Sequence, residues 1–271
     1  MSWLGPLLAG MLALTAPTAA AIVGQRSEAL TPHAAAAVAR QARHGERWAG
    51  EGSGRTGVWR HTTARDPLLG SHLLIHVPSS GIAAHGSPWR SSPVVGTVAG
   101  SSRYYHVPLV LWVQATNARG DWGEVELPYV WPRTEGWIPI AGLRHETTRI
   151  TVTVDLSEHR IDVFRRGALM YKMSGATGAY SSPTPPGHYV VTDRVPFWPG
   201  SALGSFAFGI SGIQPRLPAG WSGGDQLAIH GTNDPWSIGR SVSAGCVRVS
   251  ESSLHHLEPL LRLGTPVVIR P

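Results

Sequence analysis

From Leu73 to its end, the chain consists of short runs of strand-forming residues interrupted by turn formers. The runs are about four to eight residues long, rich in valine, isoleucine and aromatic residues, and bounded by glycine, proline, asparagine or aspartate. Beyond Leu73, only one segment near the C-terminus has apolar residues at helical spacing. This part of the chain is therefore predicted to be mainly β.

The first group of runs precedes residue 148 and is predicted to form a small barrel or sandwich. Its third and fourth runs flank the turn ARGD, so these two are expected to form a hairpin. The five runs are LLIHV, PVVGTV, PLVLWVQAT, WGEVELP and EGWIPI.

The second group begins at Arg149, where ITVTVD and RIDVF alternate apolar and polar residues as antiparallel strands do. The chain between Arg194 and Gln226 is predicted to be irregular, which is typical of functional loops. Three last strands are expected in LAIH, CVRV and VVIR. Between the last two, residues 250–264 have the leucine spacing of a helix, with Ser250 as N-cap and Pro259 bending or ending it.

The N-terminal residues 1–21 form an uncharged apolar stretch that ends in three alanines. This pattern predicts a secretory signal peptide cleaved after Ala21. No lysine or arginine precedes the apolar run, so an uncleaved membrane anchor is the alternative. Both interpretations place the remaining chain outside the cytoplasm. Residues 22–72 are predicted to be a linker that is in part disordered, because they are polar, glycine-rich and without steady period.

The charge and cysteine content exclude several classes of function. The net charge is +6, but the 22 arginines and the single lysine are spread along the chain without a dense run, so nucleic-acid binding is not expected. A diffuse attraction to an anionic surface fits this distribution. One cysteine allows neither an intramolecular disulfide nor a cluster of thiolates on zinc.

That single cysteine, Cys246, lies sixteen residues after His230, and both stand at the ends of predicted strands. A cysteine attacks as thiolate and needs a base, which histidine provides near neutral pH. Gly245 would allow backbone amides to face an oxyanion, and the Gly231 carbonyl could hold the imidazole in one tautomer. The motif S-A-G-C alone is also compatible with a buried structural thiol.

The residues around this pair resemble the YkuD catalytic domain of the L,D-transpeptidases. That family has a His-Gly pair and, after a similar gap, Ser/Thr-His-Gly-Cys followed by an apolar residue and Arg or Asn. This chain has HGT at residues 230–232 and SAGCVR at residues 243–248. ITVTVD, RIDVF, SGATG, TPPG and GTPVVIR follow in the family's order. The resemblance implies a β-rich catalytic domain with a short C-terminal helix over residues 148–271.

Residues 73–147 resemble a bacterial SH3-like domain, with a W-x-x-V hairpin followed by a G-W-I strand. The tryptophans of this region are expected to pack in the core rather than to form a ligand platform. The matching positions are Trp122, Val125, Gly136, Trp137 and Ile138, and the other tryptophans in question are Trp112 and Trp131.

The family resemblance implies that the chain cross-links peptidoglycan stem peptides through a thioester acyl-enzyme, without metal or cofactor, and that carbapenems inhibit it covalently. Cys246 would be the nucleophile, His230 the base and then the acid, and Gly231 the residue that orients the imidazole. The amides of Ala244, Gly245 and Cys246 would hold the oxyanion. The oligomeric state stays open.

Four further sets of residues have open roles. Arg248 could bind a substrate carboxylate or tie a loop. Ser243 and Thr232 could contact substrate or satisfy a turn. Aromatic residues could line the cleft or pack; these are Phe197, Trp198, Trp221 and Trp236. Ala244 stands where the family usually has histidine, which implies lower activity or altered substrate choice.

Two alternative functions are left open beside the transpeptidase. One is an L,D-carboxypeptidase that trims the stem tetrapeptide, and the other is a catalytically weak cell-wall-binding protein.

Overall fold

The computed structural model describes residues 70–198 and 200–271, and these are mainly β with one short α-helix. The predicted signal peptide and linker lie outside the described residues. No helix within the described ranges is long and apolar enough to cross a bilayer.

Eight strands precede residue 149, in what we term the N-terminal module (residues 72–148). A three-stranded antiparallel sheet contains β1 (His72–His76), β4 (Val110–Val113) and β8 (His145–Thr148), in the order β4-β1-β8. A five-stranded sheet contains β2 (Ile82–His85), β3 (Val94–Val98), β5 (Ala115–Thr116), β6 (Trp122–Glu126) and β7 (Glu135–Pro139), in the order β3-β2-β7-β6-β5.

All five predicted runs of this module contain strands, and β5 pairs with β6 across the expected hairpin. Two strands, β2 and β8, were not predicted, because IAAH is alanine-rich and HETT is polar and largely exposed. Trp112 and Trp122 are buried, as expected, whereas Trp131 is about half exposed. The SH3-like architecture and the domain boundary near residue 148 stay predictions.

The remaining strands form one nine-stranded sheet in the order β10-β9-β17-β12-β13-β14-β16-β11-β15. Their bounds are β9 (Ile150–Asp155), β10 (Arg160–Arg165), β11 (Ala168–Gly178), β12 (Gly187–Pro196), β13 (Phe206–Ile213), β14 (Gln226–His230), β15 (Ser241–Ser243), β16 (Val247–Val249) and β17 (Pro266–Arg270).

The segment predicted to be irregular contains β13, so that prediction was wrong over residues 206–213. Glycine and serine dilute the apolar pattern of FAFGISGI, but the strand is paired on both sides, by β12 and β14, and is almost wholly buried. The predicted helix is confirmed as α1 (Glu251–Leu257), whose N-cap Ser250 accepts a hydrogen bond from the Ser253 amide.

The nine-stranded sheet buries both of its faces. One face packs against α1 through a core that includes Phe208, Ile229, Val247 and Leu257. On the other face, Val190 and Val268 belong to the core of the N-terminal module. Gly264 is part of this contact, because a Cβ at this position would lie 2.6 Å from Cγ1 of Val110. The module therefore covers the part of this second face that is formed by β12 and β17.

Candidate active site

Parallel pairing of β14 and β16 brings the predicted catalytic residues together. Ile229 is paired with Val247 and His230 with Arg248, while Cys246 immediately precedes β16. Because side chains alternate along a strand, His230, Arg248 and Cys246 lie on the face opposite to the core residues Ile229 and Val247. Strand spacing places the Cα atoms of Cys246 and His230 about 8 Å apart.

The His230 imidazole is buried and held by backbone carbonyls. Its Nδ1 lies 2.5 Å from the Gly231 carbonyl oxygen, and a carbonyl only accepts, so Nδ1 carries the proton. Nε2 is therefore the basic nitrogen. Burial, with a smaller contribution from the Arg248 charge, lowers the pKa of His230 to about 4, although the carbonyls of Gly231 and Leu203 oppose the shift. The side chain is neutral near pH 7.

The Cys246 thiol lies against the backbone of β14. Its Sγ is 3.9 Å from the Gln226 carbonyl oxygen, and within the described part of the chain it makes no hydrogen bond to His230. The residue retains some exposed surface, but the protein around the sulfur dominates and burial raises the pKa of the thiol. The Ala228 backbone and the Arg248 charge act in the opposite direction. The resting site is thus a neutral thiol beside a neutral imidazole.

Arg248, which pairs with His230 across the two strands, is partly buried. Its Nη1 is 4.0 Å from the Asp234 carboxylate, and its Nε is buried without a hydrogen-bond partner. The guanidinium favours the thiolate of Cys246 and disfavours the imidazolium of His230. It therefore influences both members of the pair, and a loop-tying role through Asp234 is weak at this distance.

The turn at residues 243–246 is closed by the hydroxyl of Ser243. Ser243 Oγ donates to the Cys246 carbonyl at 2.6 Å and accepts from the Gly245 amide at 3.1 Å. The Gly245 amide, which was predicted to hold an oxyanion, thus donates to Ser243 in this structure, and its role towards an oxyanion stays a prediction. The amides of Ala244 and Cys246 complete the predicted set. The φ of +121° at Gly245 is a conformation that L side chains rarely adopt.

Two buried side chains that sequence reasoning missed support this turn. Gln214 Nε2 donates to the carbonyls of Ser182, Pro183 and Ala244, at 3.1, 2.9 and 3.3 Å. Thr184 Oγ1 donates to the Gly245 carbonyl at 2.7 Å. Thr184 opens the TPPG segment, which the family resemblance already marked, whereas Gln214 follows β13 and carried no signal in the sequence.

Among the remaining candidates, Thr232 and Trp236 lie on the connection between His230 and Cys246. Thr232 Oγ1 accepts from the Asp234 amide at 3.0 Å, so it closes a turn. Trp198, Trp221 and Trp236 are exposed rather than packed in the core. Trp236 belongs to a 3-10 helix (Pro235–Ser237) between His230 and Cys246, and its ring lies 4.1 Å from the Arg240 guanidinium.

A cleft of about 420 Å³ lies elsewhere, between the N-terminal module and the end of β12. None of the predicted site residues line it. Its ionisable lining residues are His76, Glu146, Arg194 and Arg262.

Comparisons with known proteins identify similar sequences and structures. A profile of the YkuD L,D-transpeptidase catalytic domain matches residues 149–269. YkuD of Bacillus licheniformis, named as an L,D-transpeptidase, is 30% identical over 135 residues, which cover 49% of this chain and 74% of that protein. YqjB of Bacillus subtilis, named likewise, is 34% identical over 107 residues, covering 35% of this chain and 57% of that protein.

Solved structures with similarity include L,D-transpeptidase 3 of Mycobacterium tuberculosis, with a TM-score of 0.37 and 18% identity over 53% of this chain and 77% of that chain. Bd1075 of Bdellovibrio bacteriovorus has a TM-score of 0.36 and 24% identity over 45% of this chain and 48% of that chain. The chain thus spans about three quarters of its Bacillus licheniformis relative and about half of Bd1075.

Proposed function

Because the chain belongs to the YkuD family of L,D-transpeptidases, we propose that it is a cysteine acyltransferase that cross-links peptidoglycan stem peptides outside the cytoplasm. The observation that carries this proposal is the state of His230. A neutral imidazole whose Nδ1–H is bound to the Gly231 carbonyl presents a basic Nε2 on the face that also carries Cys246. A buried structural thiol would not need such a neighbour.

In the proposed acylation step, His230 Nε2 takes the thiol proton while Sγ attacks the carbonyl between the third and fourth residues of a stem peptide. The Sγ–C bond forms, and the carbonyl oxygen becomes an oxyanion bound by the amides of Ala244 and Cys246. The carbonyls of Gly231 and Leu203 favour the imidazolium formed at this point. The C–N bond then breaks, His230 protonates the departing amine of D-alanine, and a thioester remains.

In the second step, an amine of another stem attacks the thioester. His230 accepts the proton of this amine and returns it to the sulfur, so that a new amide and the free thiol result. The energy of the broken peptide bond is conserved in the thioester, and neither nucleotide nor metal is consumed.

The resting geometry requires one adjustment before acylation. Sγ lies against Gln226 and Ala228, which are four and two residues before His230 along β14. Catalytic hydrogen bonds are often formed only once substrate is bound. We therefore expect substrate binding to move the thiol towards His230 Nε2. Arg248 supports the thiolate in this step, and its guanidinium, which is partly exposed, is the group that would bind a substrate carboxylate.

The proposal is tested by intact-mass measurement after exposure to a carbapenem, which acylates the family's nucleophile. We expect one covalent adduct on the parent protein and none on Cys246→Ala. Absence of an adduct on the parent, with the thiol free, would contradict the proposal.

Mass spectrometry of muropeptides incubated with the protein then distinguishes the products. Cross-linked dimers are expected for the transpeptidase. Trimmed monomers would identify a carboxypeptidase, and an unchanged mixture with binding to cell walls would identify a binding protein.

A further inference from the structure

The turn at residues 243–246 and the start of β14 are linked through hydrogen bonds to a loop of the N-terminal module. This loop lies outside the nine-stranded sheet and consists of residues 102–104, between β3 and β4. Its three side chains make hydrogen bonds to Asp193 and Asp225, which flank the start of β14.

The first connection is a buried carboxylate. Asp193, which has no exposed surface, accepts from Ser102 Oγ at 2.5 Å, from Thr192 Oγ1 at 2.8 Å and from Gln226 Nε2 at 2.8 Å. Gln226 is the first residue of β14, and its carbonyl is the group that contacts the Cys246 thiol. Ser102 is therefore linked to the thiol through two intervening residues.

The second connection runs through Asp225. Its carboxylate accepts from Arg103 Nη1 at 3.1 and 3.0 Å and from the Tyr104 hydroxyl at 2.7 Å. The Asp225 carbonyl accepts from the Gln214 amide at 2.7 Å. Gln214 Nε2 in turn donates to the Ala244 carbonyl, one of the residues assigned to the oxyanion.

Both connections end at groups that acylation depends on. One fixes the carbonyl against which Sγ rests, and the other fixes the turn whose amides face the oxyanion. A displacement of about 1 Å at such groups can cost about 100-fold in rate, because reacting atoms must be aligned. Asp193 and Ser102 are both buried, so removing one partner leaves an unsatisfied polar atom and forces rearrangement.

We propose that Ser102, Arg103 and Tyr104 are positioning residues for the Cys246 thiol and the turn at residues 243–246. The N-terminal module thus takes part in the chemistry by holding the nucleophile in place. This inference rests on the proposed acyltransferase function for its consequence, but its geometric part concerns only the thiol and is measurable without any substrate.

Two rates measured on the full chain test the proposal. The first is alkylation of Cys246 by iodoacetamide as a function of pH, and the second is acylation by a carbapenem. In Ser102→Ala, loosening of the Gln226 backbone exposes the sulfur to water. We expect the alkylation midpoint to move down towards the ordinary thiol pKa of 9.0 and acylation to slow about tenfold.

Tyr104→Phe removes one hydroxyl and is expected to shift both rates in the same directions by a smaller factor. Ser102→Thr keeps the hydroxyl and should restore both. The matched controls are Tyr171→Phe, whose ring stacks on that of His256 in α1, and Ser80→Ala, whose exposed hydroxyl bonds to the Gly81 carbonyl. Both controls should keep the parent values.

A purely structural role for the loop predicts a lower unfolding midpoint with unchanged alkylation and acylation in the folded protein, and this result would overturn the proposal. If Ser102→Ala does not fold, Tyr104→Phe decides. If the parent forms no carbapenem adduct, the proposed function fails, and the alkylation profiles still test the positioning role.

Discussion

Cys246 and His230 are both neutral at rest, and this follows from burial. Removing a charge from water is unfavourable, so burial raises the pKa of a thiol and lowers the pKa of an imidazole. The two shifts have opposite directions and the same effect, since each disfavours the charged form. In the proposed mechanism, the thiol must therefore be activated by proton transfer during attack, rather than held in advance as an ion pair.

The rate of alkylation of Cys246 should reveal this neutral pair. We expect the rate constant for iodoacetamide to keep rising above pH 9 without a plateau at lower pH, because only the thiolate reacts and burial raises the thiol pKa. His230→Gln should leave this curve nearly unchanged while slowing carbapenem acylation by about 100-fold or more. A plateau between about pH 5 and 8 that disappears in His230→Gln would instead indicate a resting thiolate–imidazolium pair.

The turn between β15 and β16 fixes the backbone on which Cys246 lies. Gly245 has a positive φ, and a Cβ there would lie 2.1 Å from Gln214 Nε2. The turn thus demands glycine for two independent reasons, backbone conformation and space. Gln214 occupies the space that a side chain would need, and it uses that position to bind three carbonyls.

Gly245→Ala should lower the free energy of unfolding by about 2–4 kcal/mol, because strained backbone and overpacking both contribute. Gly142→Ala is the matched control, since Gly142 also has a positive φ but nothing lies within 4 Å of its Cβ position. It should lose only about 1–2 kcal/mol. Urea unfolding of both variants measures the difference. Equal losses in the two variants would show that the Gln214 side chain moves aside without a cost in free energy, which would contradict the overpacking part of this prediction.

The local sequence pattern was sufficient to predict the strands and the helix whose apolar residues alternate or repeat clearly. β9 and β10 alternate in sequence, and α1 has both its cap and its leucine spacing, so all three were predicted. β13 was not, because its glycines and serine hide a strand that only its two neighbours stabilise. At the site, the order of His230 and Cys246 was readable. The occupied Gly245 amide was not, because it depends on where the Ser243 hydroxyl points.

Across the described chain, the sequence did not indicate which distant segments contact each other. Ser102 and Asp193 are 91 residues apart in sequence, and neither residue type alone signals the other. Glu126 is another case: it lies on β6 of the N-terminal module and is enclosed beside His188 of β12. Burial raises the pKa of Glu126 to about 7, although Arg133 opposes the shift.

A raised carboxyl pKa makes stability depend on pH in a defined direction. The folded state holds the Glu126 proton up to about pH 7, whereas the unfolded chain loses it near 4.5. The stabilising contribution of the Glu126 proton is therefore fully present below about pH 4.5 and is lost as pH rises through about 7. We expect the free energy of unfolding of the parent to fall by about 1–3 kcal/mol between pH 5 and 8 because of Glu126, and Glu126→Gln should remove this fall.

Urea unfolding at several pH values measures this decline in the parent and in Glu126→Gln. The difference between the two proteins isolates Glu126, because the buried histidines titrate in both. Glu135→Gln, at the exposed residue paired with Glu126, should keep most of the decline. A difference between parent and Glu126→Gln that does not change with pH would contradict the raised pKa.

The close approach at Gly264 has a consequence for how this protein can diverge. A Cβ there would meet Val110 and Leu74 of the N-terminal module at 2.6 and 3.1 Å. A catalytic sheet with a larger residue at 264 could not accept this module unchanged, and a module with bulkier residues at 74 and 110 could not accept this sheet. Recombination that exchanges one half of the chain must therefore bring a complementary surface with it, so the two halves are expected to be inherited as a pair.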